Sequence, residues 1–275
     1  MTIDSHQHFW HYEPIKHSWL DESMSVIRKD FLPEDLQQVY QKNQIDGCVA
    51  VQADQTLEET DFLLDLAKKN SFIKGVVGWA DLRADNIDSI LKKYSSDKNL
   101  KGWRHVVQDE TDPNFLLRPN FLRGISLLEK YNHTYDILVF PHQLGSVLEF
   151  VKRFPNQKFV IDHIAKPFIK EGFYEGWAVL MKEIGKHENV YCKLSGMITE
   201  ADYNTWTAEQ LHPYMSLTLE AFGAERTMFG SDWPVCLVAG NYGQVKGLVT
   251  KFISTLSSQD QDMIMGKNAK EFYSL

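Results

Sequence analysis

The sequence is poor in cysteine, and its three, Cys48, Cys192 and Cys236, lie far apart with no CxxC pair. That spacing argues against a disulfide framework or a zinc finger and for buried thiols in a reducing compartment. Cytoplasm is the expected location. No run of about 18 apolar residues occurs, so no membrane span is expected. The first residues lack a basic n-region and an apolar h-region, so no secretory signal is expected either. Basic charge is scarce as well: 29 Lys and Arg stand against 37 Asp and Glu, a net charge of -8. A nucleic-acid binder that tracks phosphates needs a basic face, so that class is set aside. There is no Gly-rich dinucleotide turn, no GxSxG elbow and no HExxH, which removes the commonest dehydrogenase, serine hydrolase and metalloprotease signatures. Linkers rich in Pro, Gly or Ser are missing too, so residues 1–275 are expected to form one domain.

What is present is a core-forming composition, 43% hydrophobic and 24% charged, with a rhythm. Short apolar or β-branched runs recur: "TIDSHQHF", "DGCVAVQA" (46–53), "IKGVVGWADL" (73–82) and "LKGWRHVV" (100–107). They continue with "YDILVF" (135–140), "KFVIDH" (158–163), "NVYCKLS" (189–195) and "RTMFGSD" (226–232). Between most of them lie helical periods. In "TLEETDFLLDLAKKN", Leu57, Phe62, Leu63, Leu66 and Ala67 share a face, and Thr56 and Glu59 have capping-box spacing. "QLGSVLEFVKRFP" reads as a helix stopped by Pro155. Strands alternating with helices need crossovers, hence a parallel sheet. Eight units in about 250 residues match a single (β/α)8 TIM barrel, regular or distorted, better than an open doubly wound sheet. The irregular aromatic stretch 9–33 is expected to form a long loop over the mouth.

In such a barrel the active site lies at the C-terminal strand ends. The polar residues there are His6, His8, Gln52, Trp79, Asp81, Arg104, His105, His142, Asp162, His163, Lys193, Ser231 and Asp232. His6 and His8 are i and i+2 on one strand and so face the same way, a spacing that can hold a divalent metal. His163 is expected to top the sixth strand, with Asp162 turned outward toward the helices in a structural role. Asp232 ends the eighth strand, which must lie beside the first if the barrel closes. A carboxylate there can bind a metal, take a proton from water, or both. Lys193 is either a site residue or the partner of a buried acid.

HxH on strand one, His on strand six and Asp on strand eight resemble the ligand set of the amidohydrolase superfamily. More narrowly the chain is similar to the sugar-lactonase branch of its "amidohydrolase 2" division, the L-fucono- and L-rhamnono-lactone hydrolases. The matching segments run nearly end to end: "DSHQHFW", "FLPEDL", "GCVAVQADQTLEET", "VVGWADL", "GWRHVVQ", "VIDHIAKP", "YCKLSGM", "FGSDWPV" and "GKNAKEFYSL". The resemblance implies His6, His8, His163 and Asp232 as a metal or general-base cluster. It implies Arg104 and His105 as groups that hold substrate oxygens, and Gln52, Trp79 and His142 as pocket wall. The superfamily's two-metal members carry a carboxylated lysine or an acid near the end of strand four. This chain has "WRHV" there, so the resemblance implies one divalent metal, zinc, or a metal-free site in which histidines act as electrophile.

The implied reaction is hydrolysis of a sugar-acid lactone. Zinc would lower the pKa of water from ~16 to about 7. Asp232 would take the proton and return it to the leaving ring oxygen, and Arg104 or His105 would stabilise the oxyanion. Trp10, Trp19, Trp79, Trp103 and Trp233 are expected to give the mouth an aromatic lining suited to a sugar. The rivals are a dicarboxylate lactonase or metal-dependent decarboxylase of the same division, and a non-catalytic sugar-binding barrel. A dicarboxylate enzyme should offer several arginines, whereas only Arg104 is well placed; Arg83 and Arg226 are not. The expected partner is a small sugar lactone, with no nucleic acid or membrane, acted on by a monomer or homodimer.

Overall fold

Parallel strands form where apolar runs can be buried on both faces, and here every such run becomes one. The computed structural model describes residues 1–275. Its first half runs β1 (Ile3–Gln7), α1 (Pro33–Asn43), β2 (Gly47–Val51), α2 (Leu57–Lys69), β3 (Ile73–Gly78), α3 (Ile87–Tyr94), β4 (Leu100–His105) and α4 (Pro119–Ile125). The second half runs β5 (Thr134–Ile137), α5 (Leu144–Arg153), β6 (Phe159–Ile161), α6 (Glu175–Gly185), β7 (Val190–Leu194), α7 (Ala208–Phe222), β8 (Thr227–Phe229) and α8 (Tyr242–Phe252). Each strand pairs in parallel with the next, in the order β1 to β8. The expected (β/α)8 barrel is therefore what forms. No helix is long and apolar enough to cross a membrane.

The helices form for the reasons their sequences suggest. Thr56 caps α2, its hydroxyl accepting from the Glu59 amide at 3.1 Å, and the helix buries Leu63 and Ala67. α5 ends at Arg153, two residues before Pro155. Inside the barrel floor, Ile3, Val49, Val51, Val77, Val160 and Met228 pack together against Phe272 and Tyr273 of the C-terminal segment. The three cysteines are free and buried.

The barrel closes by a distorted seam. β1 and β8 meet through single bonds: the Ser5 hydroxyl donates to the Phe229 carbonyl at 2.7 Å, the Asp232 amide to the His6 carbonyl at 2.8 Å, and the His8 amide to the Trp233 carbonyl at 2.7 Å. Buried Asp4 ties the seam to the helical layer. It accepts from the Ser231 hydroxyl (2.6 Å) and amide (2.8 Å), and from the Tyr40 (3.0 Å) and Tyr242 (3.1 Å) hydroxyls. The register of β1 against β2 slips between Asp4 and Gln7, as at a bulge, so Asp4 faces outward while His6 and His8 face in.

The stretch 9–33 does lie over the mouth. Trp10 and Phe31 exchange backbone bonds of 3.0 Å, which pinch the loop at its base. Its middle carries Lys16, Ser18, Trp19 and Met24 to the wall of the central cavity. The other expected mouth tryptophans do not line it. Trp10, Trp103 and Trp233 are buried in packing, and Trp79 sits in the outer layer.

Candidate active site

At the C-terminal end of the barrel is a cavity of about 480 Å³, and His8, Arg104, His163 and Asp232 all reach it. Asp232 is the meeting point. Its Oδ1 lies 3.4 Å from His8 Nε2, 3.8 Å from His163 Nε2 and 3.9 Å from His6 Nε2. Four side chains from three distant parts of the sequence therefore converge on one side of a single rim.

The other nitrogen of each imidazole is anchored. His8 Nδ1 donates to the Val51 carbonyl at 2.8 Å, an oxygen that can only accept, so the proton of the neutral ring sits on Nδ1 and Nε2 carries a lone pair. His163 Nδ1 pairs with the Ser195 hydroxyl at 2.9 Å. His6 Nδ1 lies 3.2 Å from Asp162 Oδ1 and 3.1 Å from Lys193 Nζ, and Arg104 Nη1, which can only donate, faces its Nε2 at 3.3 Å, so the Nε2 lone pair points into the site. Burial pushes the His6 and His163 imidazoles well below their ordinary pKa, so both are neutral at pH 7. For Asp232 burial acts upward, but His163 and His8 beside it outweigh burial and hold the carboxyl below its usual value. The site thus sets the neutral His6 and His163 imidazoles beside an ionised carboxylate.

This donor set fits a divalent cation. The two Nε2 atoms of His6 and His8 face each other at 3.2 Å, lone pair against lone pair. Tetrahedral bonds of about 2.0–2.1 Å separate neighbouring donor atoms by about 3.3 Å. The His6–His8 and His8–Asp232 separations match that value. A cation between them converts a repulsive contact into two bonds.

Beneath the cluster is a buried charge network. Arg104 donates through Nε (3.2 Å) and Nη2 (2.7 Å) to Gln52 Oε1, through Nη2 to the Gln52 carbonyl, and through Nη1 to Asp162 Oδ2 at 3.1 Å. Its Nη1 also lies 3.3 Å from His6 Nε2. Lys193 sits fully buried among Asp136 Oδ2 (2.5 Å), Asp162 Oδ1 (2.9 Å) and His6 Nδ1 (3.1 Å), so it supports the site from beneath and does not reach the cavity. Asp162 takes charge from Lys193, His6 and Arg104, which together overcome burial and hold its carboxyl well below the usual range.

Several expectations are corrected here. Asp162 points inward, not toward the helices, because it shares the face of Val160, which lies in the barrel interior, while Phe159 and Ile161 face the helical layer. His163, Ile164, Ala165 and Lys166 have φ of 52°, 47°, 59° and 46°. Alternation therefore holds through Asp162 and breaks at His163, which this left-handed turn swings back so that both residues reach the site. His105 does not: Arg104 takes the inward direction on β4, and its neighbour faces the outer layer. There His105 Nε2 bonds Glu110 at 2.7 Å, its Nδ1 accepts from Trp79 Nε1 at 3.3 Å, and its ring stacks on Phe115. Trp79 leaves the pocket wall with it. His142 is exposed and stacks on Phe140. Gln52 does not line the cavity but aims Arg104 into it.

Two glycines allow the close approaches around the site. Gly196 has φ 64°, and a Cβ there would lie 2.6 Å from the His163 ring. At Gly230 a Cβ would meet His6 Cβ at 2.8 Å. The residues that the strand-end rule missed lie a few positions further on, in the loops: Asp54, Asp109, Lys166, Glu200 and Tyr203 line the cavity. Extending the search past each strand end would have found them.

A family model described as Amidohydrolase matches residues 3–275. The chain belongs to the amidohydrolase family. An L-fucono-1,5-lactonase of Burkholderia multivorans (strain ATCC 17616 / 249) is 37% identical, over 100% of this chain and 96% of its own length. The L-fucono-1,5-lactonase of Burkholderia ambifaria is also 37% identical, covering 88% of this chain and 83% of its own. A crystal structure of an amidohydrolase from Burkholderia multivorans, with bound zinc, superposes with a TM-score of 0.97 at 37% identity, covering 100% of this chain and 99% of that one. This amidohydrolase is accordingly an enzyme, a hydrolase, and its barrel is that of its relatives.

Proposed function

We propose that this amidohydrolase opens a sugar-acid lactone, L-fucono-1,5-lactone or a close aldonolactone, to the aldonic acid, with Asp232 as general base. The observation that carries the reading is the convergence of three imidazole Nε2 atoms within 3.4–3.9 Å of one carboxylate oxygen at the foot of a cavity. The full-length similarity to two L-fucono-1,5-lactonases supports the substrate class.

His6, His8 and Asp232, whose donor atoms lie within 4.8 Å of one another, would hold one divalent cation, with His163 Nε2, 3.8 Å from Asp232 Oδ1, as the fourth donor, and zinc suits this set. When bound, the cation supplies positive charge that acidifies water and polarises an ester carbonyl. Asp232, ionised and facing the cavity, takes the proton of the attacking water. It then returns that proton to the ring oxygen as the ester C–O bond breaks, leaving a free hydroxyl and a carboxylic acid, which loses its remaining proton to solvent. Arg104 has its Nε and Nη2 hydrogens committed to Gln52, so the N–H on Nη1 that faces His6 is the one able to turn to the carbonyl oxygen. Overhead, the 9–33 loop brings Lys16, Ser18, Trp19 and Met24 to the cavity wall.

The dicarboxylate alternative fits the cavity less well. Its wall carries Asp54, Asp109, Glu200 and Asp232 against Lys16, Arg104 and Lys166, and the one arginine is already paired with Asp162. Arg83 pairs with Asp81, and Arg226 holds backbone carbonyls at the barrel floor. The test is acid release from a panel of aldonolactones and 2-pyrone-4,6-dicarboxylate. Hydrolysis of L-fucono-1,5-lactone is expected, with the rate falling about 10²–10⁴-fold in Asp232→Asn while ligand affinity persists. Acid release from the pyrone alone, or full turnover by Asp232→Asn, would overturn it.

A further inference from the structure

The left-handed turn after β6 delivers two side chains. Its backbone closes by a bond of 2.8 Å from the Lys166 amide to the His163 carbonyl. At three residues per turn, positions i and i+3 eclipse, so Lys166 extends into the same cavity as His163. There it meets Glu200, carried by the loop after β7, with Nζ 3.5 Å from Oε1. The two side chains are mostly buried, 21% and 15% exposed, while the other uncommitted charges of the wall, Lys16 and Asp109, are exposed.

This pair is unlike the other ionic contacts of the site. Arg104 commits four of its five N–H groups to Gln52 and Asp162 and turns the fifth toward His6, and Asp54 is occupied by the Gln55 amide and the Thr56 hydroxyl. Lys166 and Glu200 have no polar side-chain partner except each other, and at a separation well beyond the 2.7–2.9 Å of a tight charge-assisted bond. An ammonium offers three donors and a carboxylate about four acceptor positions, so most of their hydrogen-bonding capacity is unused. A vicinal diol complements such a pair: one hydroxyl accepts from the ammonium while its neighbour donates to the carboxylate.

We propose that Lys166 and Glu200 form a two-point hydroxyl clamp that selects a polyhydroxylated lactone over an unsubstituted one. The clamp rests on the lactonase reading above and names what that site recognises at the end of the substrate away from the ester. Its test compares kcat/KM for L-fucono-1,5-lactone and δ-valerolactone in the wild type, Lys166→Met, Glu200→Ala and Lys166→Arg. The ratio of the two kcat/KM values should fall on the order of ten- to a hundredfold in the first two variants and recover in Lys166→Arg. Equal losses on both lactones, as a merely structural pair would give, or an unaltered ratio would overturn the clamp. If the wild type opens neither lactone, the lactonase reading fails and the clamp is judged by binding, followed through tryptophan fluorescence. Selective weakening of L-fuconate relative to 5-hydroxypentanoate in the two variants supports it, and parallel or no weakening overturns it.

Discussion

Among single residues, Asp162 shows most clearly what sequence could and could not convey. It anchors His6 Nδ1 and in turn receives Arg104 and Lys193, so it orients a ring whose other nitrogen faces Asp232. Partners of this kind usually change metal affinity 10–100-fold. Asp162→Asn should therefore weaken zinc binding by that factor in a competition titration, and unaltered affinity would remove Asp162 from the site. His6, His8 and Asp232 were legible because an HxH on a strand has one geometry and because the last strand of a barrel must return to the first. Asp162 was misread because topping β6 with an inward His163 turns its neighbour outward, whereas alternation from Val160 turns Asp162 inward and a left-handed turn brings His163 to the site. His105 was misread on the same point. It shares β4 with Arg104, and adjacent strand residues face opposite ways, so the rule that applied was not used. Lys166 and Glu200 carry no signal of their own in the sequence, since loop conformation alone brings them to the cavity.

At the level of elements, the site depends on backbone that regular secondary structure does not supply. Four consecutive left-handed residues, none of them glycine, cost about 1–2 kcal/mol each. Packing holds that conformation, since Ile164 and Ala165 are fully buried and the Ile164 carbonyl accepts from the Trp177 indole at 2.7 Å, and the result carries His163 and Lys166 to one cavity. Strand and helix periods in the sequence placed all eight strands and the helices α2 and α5, yet no period encodes this turn, and "HIAK" has no glycine to announce it. Gly196 and Gly230 are legible only in hindsight, as the residues over which a histidine ring and the β1 backbone must pass. Gly230→Ala puts a Cβ within 2.8 Å of His6 Cβ, at a seam made of single bonds that must spread to accept it. A loss of about 1–3 kcal/mol in urea unfolding is expected. Turnover should fall with it because His6 moves, and normal stability with normal activity would show that the seam tolerates the added atom.

For the whole molecule, closure of the barrel and its behaviour toward acid are the properties to probe. Asp4→Ala would leave the buried Tyr40, Tyr242 and Ser231 hydroxyls without their shared acceptor, and a loss of about 3–5 kcal/mol follows from stranding such groups. Unfolding at a fixed pH measures it directly. Acid sensitivity has a separate source at the opposite end of the barrel. His133 is buried, and its Nδ1 accepts from the Trp103 indole N–H at 3.0 Å, so the neutral ring keeps its proton on Nε2. Burial lowers its pKa from 6.5 to about 4, and a second proton would have to displace the indole bond. Between those two values the unfolded chain binds a proton that the folded one refuses, so this contribution is complete above pH 6.5 and lost as pH falls toward 4. The difference of about 2.5 pH units corresponds to roughly 3 kcal/mol. His133→Gln keeps an acceptor for the indole and removes the titration. Its stability should therefore decline less steeply than that of the wild type between pH 6.5 and 4, by roughly that amount, and parallel declines would place the acid sensitivity elsewhere.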